Sequence, residues 1–442
     1  MSFNNSTLSG LLNNINSEKN RYITILYKLK RLISLNEHNK YVLVKNQTDK
    51  LLITQNLQLI YENVKFNHPI IKIFYEFLLK TDECVNGAKY FIKTIQLIMD
   101  DIIELLDNGI SAKEISNGLR DLKFTLKLCP KTFSACEVLK MIIDENLNNA
   151  HVVNLLIKAI EETGSCDTEK IRIIKINAGV LNDSEVIDGF VVPNLPSTSV
   201  QTCDNPLVNI YNCSLDIERP ELKGTVLLQN ADELLNYSKD EIYKIKKIVD
   251  NIKSDAILVN GSVNDTFLDF CNMRNILVLK IFNKYDLIRI SRMAEIPIHS
   301  DITLQSNSKK IKKIETFNKG NKNFTKLISD STIKTIILKH PIVEILDEYE
   351  MTINKILTGL NDKIIDVQLG NIQIDGETIV EKTIAKRIDS NNIVMLNKDK
   401  KRCFRYSLEF ISTILEINDY LLSQKDQIQL GSPPKSGIDE YN

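Results

Sequence analysis

Residues Leu222–Glu295 constrain this chain more than any other stretch, because they carry two helix signals and two short apolar strands in one order. Ser238 stands three residues before Glu241, the spacing at which a hydroxyl and a carboxylate cap each other's backbone amides at a helix start. Behind it Ile242, Ile245, Ile248, Val249 and Ile252 repeat at helical spacing, with lysines and acids opposite. Ala256–Val259 then reads as a buried strand, Asn260–Ser262 as a loop, Val263–Met273 as a second helix and Ile276–Ile281 as a second strand. Strand, helix and strand within about 26 residues predict a parallel pair joined by a crossover helix.

Such a unit binds dinucleotides only where a glycine-rich turn lets backbone amides reach a pyrophosphate. The turn here, Asn260-Gly261-Ser262, holds one glycine, so a packed α/β domain with its function on the surface is the better reading.

The same stretch resembles a known family. Lys223-Gly-Thr-Val-Leu-Leu, Ala231-Asp-Glu-Leu-Leu-Asn-Tyr-Ser-Lys239, Asn260-Gly-Ser-Val and Lys284-Tyr-Asp-Leu-Ile-Arg289 look like the apical domain of a group II chaperonin. Within that family they are most similar to the theta subunits of the eukaryotic cytosolic T-complex chaperonin (TRiC/CCT). The resemblance implies a multi-domain α/β fold. Its parts would be a mostly α-helical equatorial domain, a small α/β intermediate domain and an α/β apical domain with a helical protrusion. It also implies a subunit of a cytosolic double ring, with the other T-complex subunits and unfolded client proteins, cytoskeletal ones among them, as partners.

The rest of the chain follows the family's order. Tyr41–Val44 and Leu51–Thr54 read as strands around a polar Lys45–Lys50 turn, after a polar start over 1–15 and a helix from Tyr22 marked by Ile25, Leu26, Leu29, Leu32 and Ile33. Ile70–Leu79 and Phe91–Leu106 read as helices, the second stopped by Gly109. Ser111–Glu114 is another capping box, and Ile115, Leu119, Leu122 and Leu126 carry its helix to Pro130. Helices near 133–144 and 150–162, a strand Ile171–Ile176, a lysine-rich loop or hairpin Lys309–Lys326, a strand Thr335–Leu338 and helices Val343–Ile356 and Arg402–Leu422 complete the outline. The resemblance divides these into an equatorial domain (1–130 and 369–442, with a disordered tail from about 431), an intermediate domain (131–188 and 306–368) and an apical domain (189–305).

Composition excludes several alternatives. Fifty-six basic against 57 acidic side chains leave no charge excess to favour nucleic acid or an anionic membrane. No stretch approaches the roughly 20 apolar residues of a membrane span, and no basic start with an apolar core marks a signal peptide. The eight cysteines form no CxxC pair, which fits reduced thiols in the cytosol and leaves no structural zinc motif.

Members of the family hydrolyse ATP with Mg²⁺, and here the resemblance finds losses. The phosphate loop after the first long helix falls on Leu35–Asn39, without glycine or proline. The family's Thr-x-Asp is Thr54-Gln55-Asn56, and its Gly-Asp-Gly-Thr helix start is Val85-Asn86-Gly87-Ala88. The catalytic aspartate of the returning helix falls on Lys355, or on Asn354 one residue earlier. A later Gly-Gly-Gly turn is Gly376-Glu377-Thr378, and between Lys386 and Arg402 a pair of helices around the base is missing. An amide leaves the charge of Mg²⁺ less compensated than a carboxylate does. The expected site therefore has no catalytic residue and no metal ligand, only remnants at Thr54, Gly87 and Gly376, with ATP and Mg²⁺ absent or weakly held. Lys89 and Lys355 are candidates for filling the phosphate space. On the helix Val263–Met273, Phe267, Leu268 and Cys271 face inward, leaving Asp265, Asp269 and Asn272 as client contacts or as a plain solvated face. An ATP-hydrolysing subunit with a remodelled pocket, and an adaptor outside the ring, remain open alternatives.

Overall fold

The computed structural model describes residues 42–45, 51–63, 69–128, 135–216, 242–302, 308–320, 322–361, 369–374, 376–388, 391 and 393–417. The expected helix from Tyr22, the Leu35–Asn39 loop, most of the Lys45–Lys50 turn, the family-like segments between Lys223 and Lys239, and the tail lie outside the described residues. What is described forms three packed units, which the chain visits in a nested order.

The helical unit is built from both ends of the chain. Strands β1 (Val42–Lys45) and β2 (Leu51–Thr54) pair antiparallel, and α1 (Leu57–Asn63) and α2 (Pro69–Asp82) follow. Helix α3 (Gly87–Asp107) is the central element; Phe91, Ile95, Ile98, Met99 and Ile102 repeat at helical spacing and are all buried. Gly109, at φ 88°, takes the left-handed step after it. Helix α4 (Ala112–Asp121) opens on the expected capping box: the Glu114 amide donates to Ser111 Oγ, and the Ser111 amide donates back to the Glu114 carboxylate.

Helix α4 does not run on to Pro130. It stops at Asp121, and Phe124–Leu128 is a strand, β3, pairing antiparallel with β16 (Gly370–Ile374) near the other end of the chain. Leu122 and Leu126 satisfy a helical period, but Phe124-Thr-Leu-Lys-Leu also alternates with period two. The pairing with β16 decides between them. Helices α11 (Ile379–Ile388) and α12 (Asn397–Glu416) close this core, with Phe74, Phe91 and Phe410 in edge-on or tilted contact 5.6–5.8 Å apart. Residues 389–396 separate α11 from α12.

In the middle unit, β4 (Ile171–Ile176) lies parallel to β15 (Lys334–Lys339), with β5 (Glu185–Asp188) antiparallel on the other side of β15. Helices α5 (Ala135–Asp144), α6 (Ala150–Thr163) and α10 (Val343–Leu360) cover it, and Ile142, Val152, Leu156, Ile336, Ile353 and Leu357 share one core.

The distal unit is inserted between β4 and β15. Its parallel strands β8 (Leu207–Tyr211), β9 (Ala256–Val259) and β10 (Leu277–Lys280) follow the order β10-β9-β8, and α8 (Asp265–Met273) is the crossover from β9 to β10, as expected. The helix over 242–251, here α7, packs beside α8 on one sheet face. Ile245 and Val249 are buried, but Ile242 is 48% exposed, so the buried face is shorter than the sequence pattern. Helix α9 (Lys284–Ala294) covers the other face.

Strands β6 (Phe190–Val192) and β7 (Cys203–Asp204) pair with the lysine-rich hairpin β13 (Lys313–Lys319) and β14 (Lys322–Ile328); β11 (Ile298–His299) and β12 (Lys309–Lys310) flank β8. The hairpin buries Ile314, Phe324 and Leu327: Ile314 and Leu327 join the core under β8, β9 and β10, while Phe324 packs with Ile174, Ile176 and Ile337 of the middle unit. β14 pairs with β6 and β13 with β7, and Lys326 of β14 is ion-paired with Glu315 of β13 at 3.5 Å.

Candidate functional site

The site lies where α10 of the middle unit crosses the open end of the helical unit. A cavity of about 430 Å³ there is lined by Gln55, Asn56, Gln58, Asp82, Asn86, Gly87, Lys89, Glu348, Thr352 and Lys355, among others. The three positions at which the family resemblance places lost acids, Asn56, Asn86 and Lys355, thus line one cavity although they come from distant parts of the chain.

Each has local work. Asn56 begins α1: its side-chain oxygen accepts the Gln58 amide at 3.0 Å, and its own amide donates to Thr54 Oγ1 at 2.9 Å. Asn86 stands just before α3 in the left-handed region, at φ 63°, a conformation that asparagine tolerates better than most residues. It is 4% exposed, and its Nδ2 donates to the Val394 carbonyl at 2.8 Å. Its Oδ1 is buried without a hydrogen-bond partner among the described residues. Gly87 is required by a close approach, since a Cβ there would lie 2.0 Å from the Thr81 carbonyl oxygen. The remnant helix start Asn86-Gly87 is therefore kept by backbone geometry. Gly376 is not part of the lining. The turn Gly376–Thr378 caps α11 instead, where the amides of Glu377 and Thr378 donate to the Glu381 carboxylate.

Two acids that the motif comparison does not reach complete the cavity. Glu348, 6% exposed on α10, accepts the Thr54 hydroxyl at 2.7 Å with one oxygen and the Gln55 amide at 2.8 Å with the other. Asp82, at the end of α2, is paired with Lys355. A signal for the first existed in the sequence: Glu348, Thr352 and Lys355 fall at i, i+4 and i+7 and so share a helix face. Lys89 reaches the Glu145 carbonyl. Burial pulls its ammonium down to about 8, against the attraction of Glu145 and with the repulsion of Lys355 added. Both lysines proposed for the phosphate space thus line the cavity, and both are engaged by protein groups.

Bound Mg²⁺ relies on one or two carboxylates that can turn toward it and on substrate phosphates. The lining carboxylates are already committed, Asp82 to Lys355 and Glu348 to Thr54 and Gln55. The amide oxygen of Asn86 carries no charge to offset the ion. The residues present do not fit a magnesium–nucleotide centre. Among the described residues no group of three or more acids, histidines and cysteines could hold another metal, and no helix is long and apolar enough to cross a membrane.

On the distal unit, Phe267 and Cys271 are buried and Leu268 packs beside them, as expected. Asp265 and Asp269 are exposed. Asn272 is not simply solvated: its side-chain oxygen accepts the Ser199 amide at 2.8 Å and the Ser199 hydroxyl at 3.1 Å, tying a loop to α8.

Comparison with known proteins places the chain in a family. The sequence pattern of the TCP-1/cpn60 chaperonin family matches residues 39–366. The chain is 28% identical over 485 residues to the T-complex protein 1 subunit theta of Encephalitozoon cuniculi, an alignment covering 100% of this chain and 99% of that protein. It is 25% identical over 349 residues to the probable T-complex protein 1 subunit theta of Schizosaccharomyces pombe, with 73% of this chain and 64% of that protein covered. For the theta subunit of Arabidopsis thaliana the identity is 23% over 426 residues, 87% of this chain and 75% of the relative.

Proposed function

The chain belongs to the TCP-1/cpn60 chaperonin family, and from that premise we propose that it is a theta-type subunit of a cytosolic, hetero-oligomeric double-ring chaperonin that assists the folding of client proteins. Support comes from relatives that carry the T-complex theta name, one of them matched from end to end. In this reading the helical, middle and distal units are the equatorial, intermediate and apical domains. The partners are the other T-complex subunits and unfolded clients, cytoskeletal proteins among them.

Within the ring the subunit's work is structural and client-facing. It fills a place, contributes to the lid through the segment after Lys223, and presents Asp265 and Asp269 of α8, with Asn272 holding the adjoining loop. It leaves ATP hydrolysis to its neighbours. The observation that carries this last part is the commitment of both lining carboxylates to protein partners, alongside amides at Asn56 and Asn86 and a cation at Lys355. A bound triphosphate would find no free acid to hold its metal or to orient the attacking water.

The test is made on the native complex purified from cells. Photo-cross-linking with an azido-ATP should label neighbouring subunits and leave this one at background. A structure in ADP with aluminium fluoride should show filled neighbouring pockets beside an unfilled one here. Nucleotide with coordinated Mg²⁺ in this cavity would overturn the non-hydrolysing reading. A chain that never co-purifies with a ring would overturn ring membership.

A further inference from the structure

The polar groups of the cavity do more than leave it without an acid for Mg²⁺: they join two units of the molecule. Glu348 and Lys355 lie two turns apart on α10, and both reach across to the helical unit. Glu348 takes the Thr54 hydroxyl and the Gln55 amide at the end of β2, across 294 and 293 residues of sequence. Lys355 pairs with Asp82 at the end of α2, across 273 residues. Between and beyond them the contact is apolar and close. A Cβ on Gly359 would lie 2.3 Å from Val85 Cγ2, and Val85 shares a core with Ile353, Ile356, Leu357 and Leu360. Thr54 is fully buried and Glu348 nearly so, so separating the units would strand a hydroxyl and a carboxylate that now satisfy each other.

We infer that these groups form a built-in latch that holds the returning helix α10 on the helical unit whatever nucleotide state the neighbouring subunits are in. In a site that senses nucleotide, charge on the phosphates and metal must complete the contact between the two units. Here the contact is complete without them: the cation is Lys355, its anion is Asp82, and the second acid, Glu348, accepts hydrogen bonds from the Thr54 hydroxyl and the Gln55 amide. A ligand that arrives or leaves finds both charged groups of α10 in the cavity, Glu348 and Lys355, already held by the helical unit. This inference deepens the non-hydrolysing reading and rests on it, since a bound magnesium–nucleotide would compete for Asp82 and Glu348.

The Gln55 amide reports on the latch directly, because its proton lies in the bond to Glu348. Hydrogen–deuterium exchange is to be read on the peptide spanning 51–58 in the intact complex without nucleotide, with ADP, and with ADP and aluminium fluoride. In the wild type the Gln55 amide should exchange at rates within about threefold of one another in all three states, while Glu348→Ala should raise the rate by at least about tenfold. Wild-type exchange that changes more than about tenfold with nucleotide, in step with the neighbouring subunits, would overturn the latch. So would a Glu348→Ala complex whose exchange matches the wild type. If that variant does not assemble, the wild-type series decides alone. Azido-ATP labelling of the same preparations separates the two ideas. Labelling with unchanged protection would show nucleotide held in this cavity and count against the proposed function while the latch stands, and exposure without labelling does the reverse.

Discussion

At the scale of the residue, the cavity is governed by a few side chains whose roles come from close approach and commitment. Gly87 is one. The Thr81 carbonyl sits where its Cβ would be, so Gly87→Ala should destabilise the helical unit by about 3 kcal/mol, through a backbone shift that the packed start of α3 cannot absorb. Denaturant titration of the variant measures this, and a loss well under 1 kcal/mol would mean that the turn before α3 yields. Asn86 and Gly87 were legible as a helix start, because the left-handed step and the close approach restrict which residues can stand there. Asp82 was not, and of Glu348 only its helix face was, since nothing in the local sequence says that a glutamate on α10 meets a threonine almost 300 residues earlier.

At the scale of the element, α3 shows how one helix reconciles an apolar face with a buried charge. Asp101 is 1% exposed between α3 and α11, with Arg387 Nε 3.0 Å away. Burial raises its carboxyl to about 6; Arg387 opposes that shift, and Glu104 and Asp100 add to it. An acid raised in the folded state binds more protons there than in the unfolded chain between about pH 4 and 6. Stability from this group is therefore highest below that window and falls as the pH rises through it. Asp101→Asn carries no such charge, so its stability relative to the wild type should rise by about 2 kcal/mol from pH 4 to pH 7 and level off above. Global-unfolding exchange of the α3 amides at several pH values would show it, and a flat difference would mean that Arg387 compensates the charge fully. Periodicity located α3, the capped start of α4 and the β9-α8-β10 crossover, because those patterns are set by backbone repeat distances. It misplaced the end of α4, where a segment compatible with both periods was claimed by β16.

At the scale of the whole molecule, nesting dictates what can be cut. The helical core joins Phe74, Phe91 and Ile95 to Phe404, Phe410 and Ile411, so removing residues 369–417 would uncover it and should leave an insoluble chain. The distal unit is continuous in sequence, and residues 189–333 should express alone and melt cooperatively. An aggregated fragment would show that its contacts with the middle unit are needed. Those contacts include the pair Arg172–Asp286 at 2.9 Å and Arg289–Glu169 at 3.4 Å. The junction with the helical unit is of another kind, with a buried carboxylate and a close glycine contact, which is the asymmetry that the latch requires.

The sequence by itself determined the local elements and the chaperonin-type character of the chain. These follow from residue identity and from periods of two and 3.6, which need no knowledge of distant neighbours. Only the tertiary structure decided that β3 is a strand, that the lysine-rich hairpin packs against both the distal and the middle unit, and that Asp82 and Glu348 are both committed to partners. Each of those depends on which segment arrives from far along the chain, and a hydrogen bond or ion pair is set by that arrival rather than by the residues on either side.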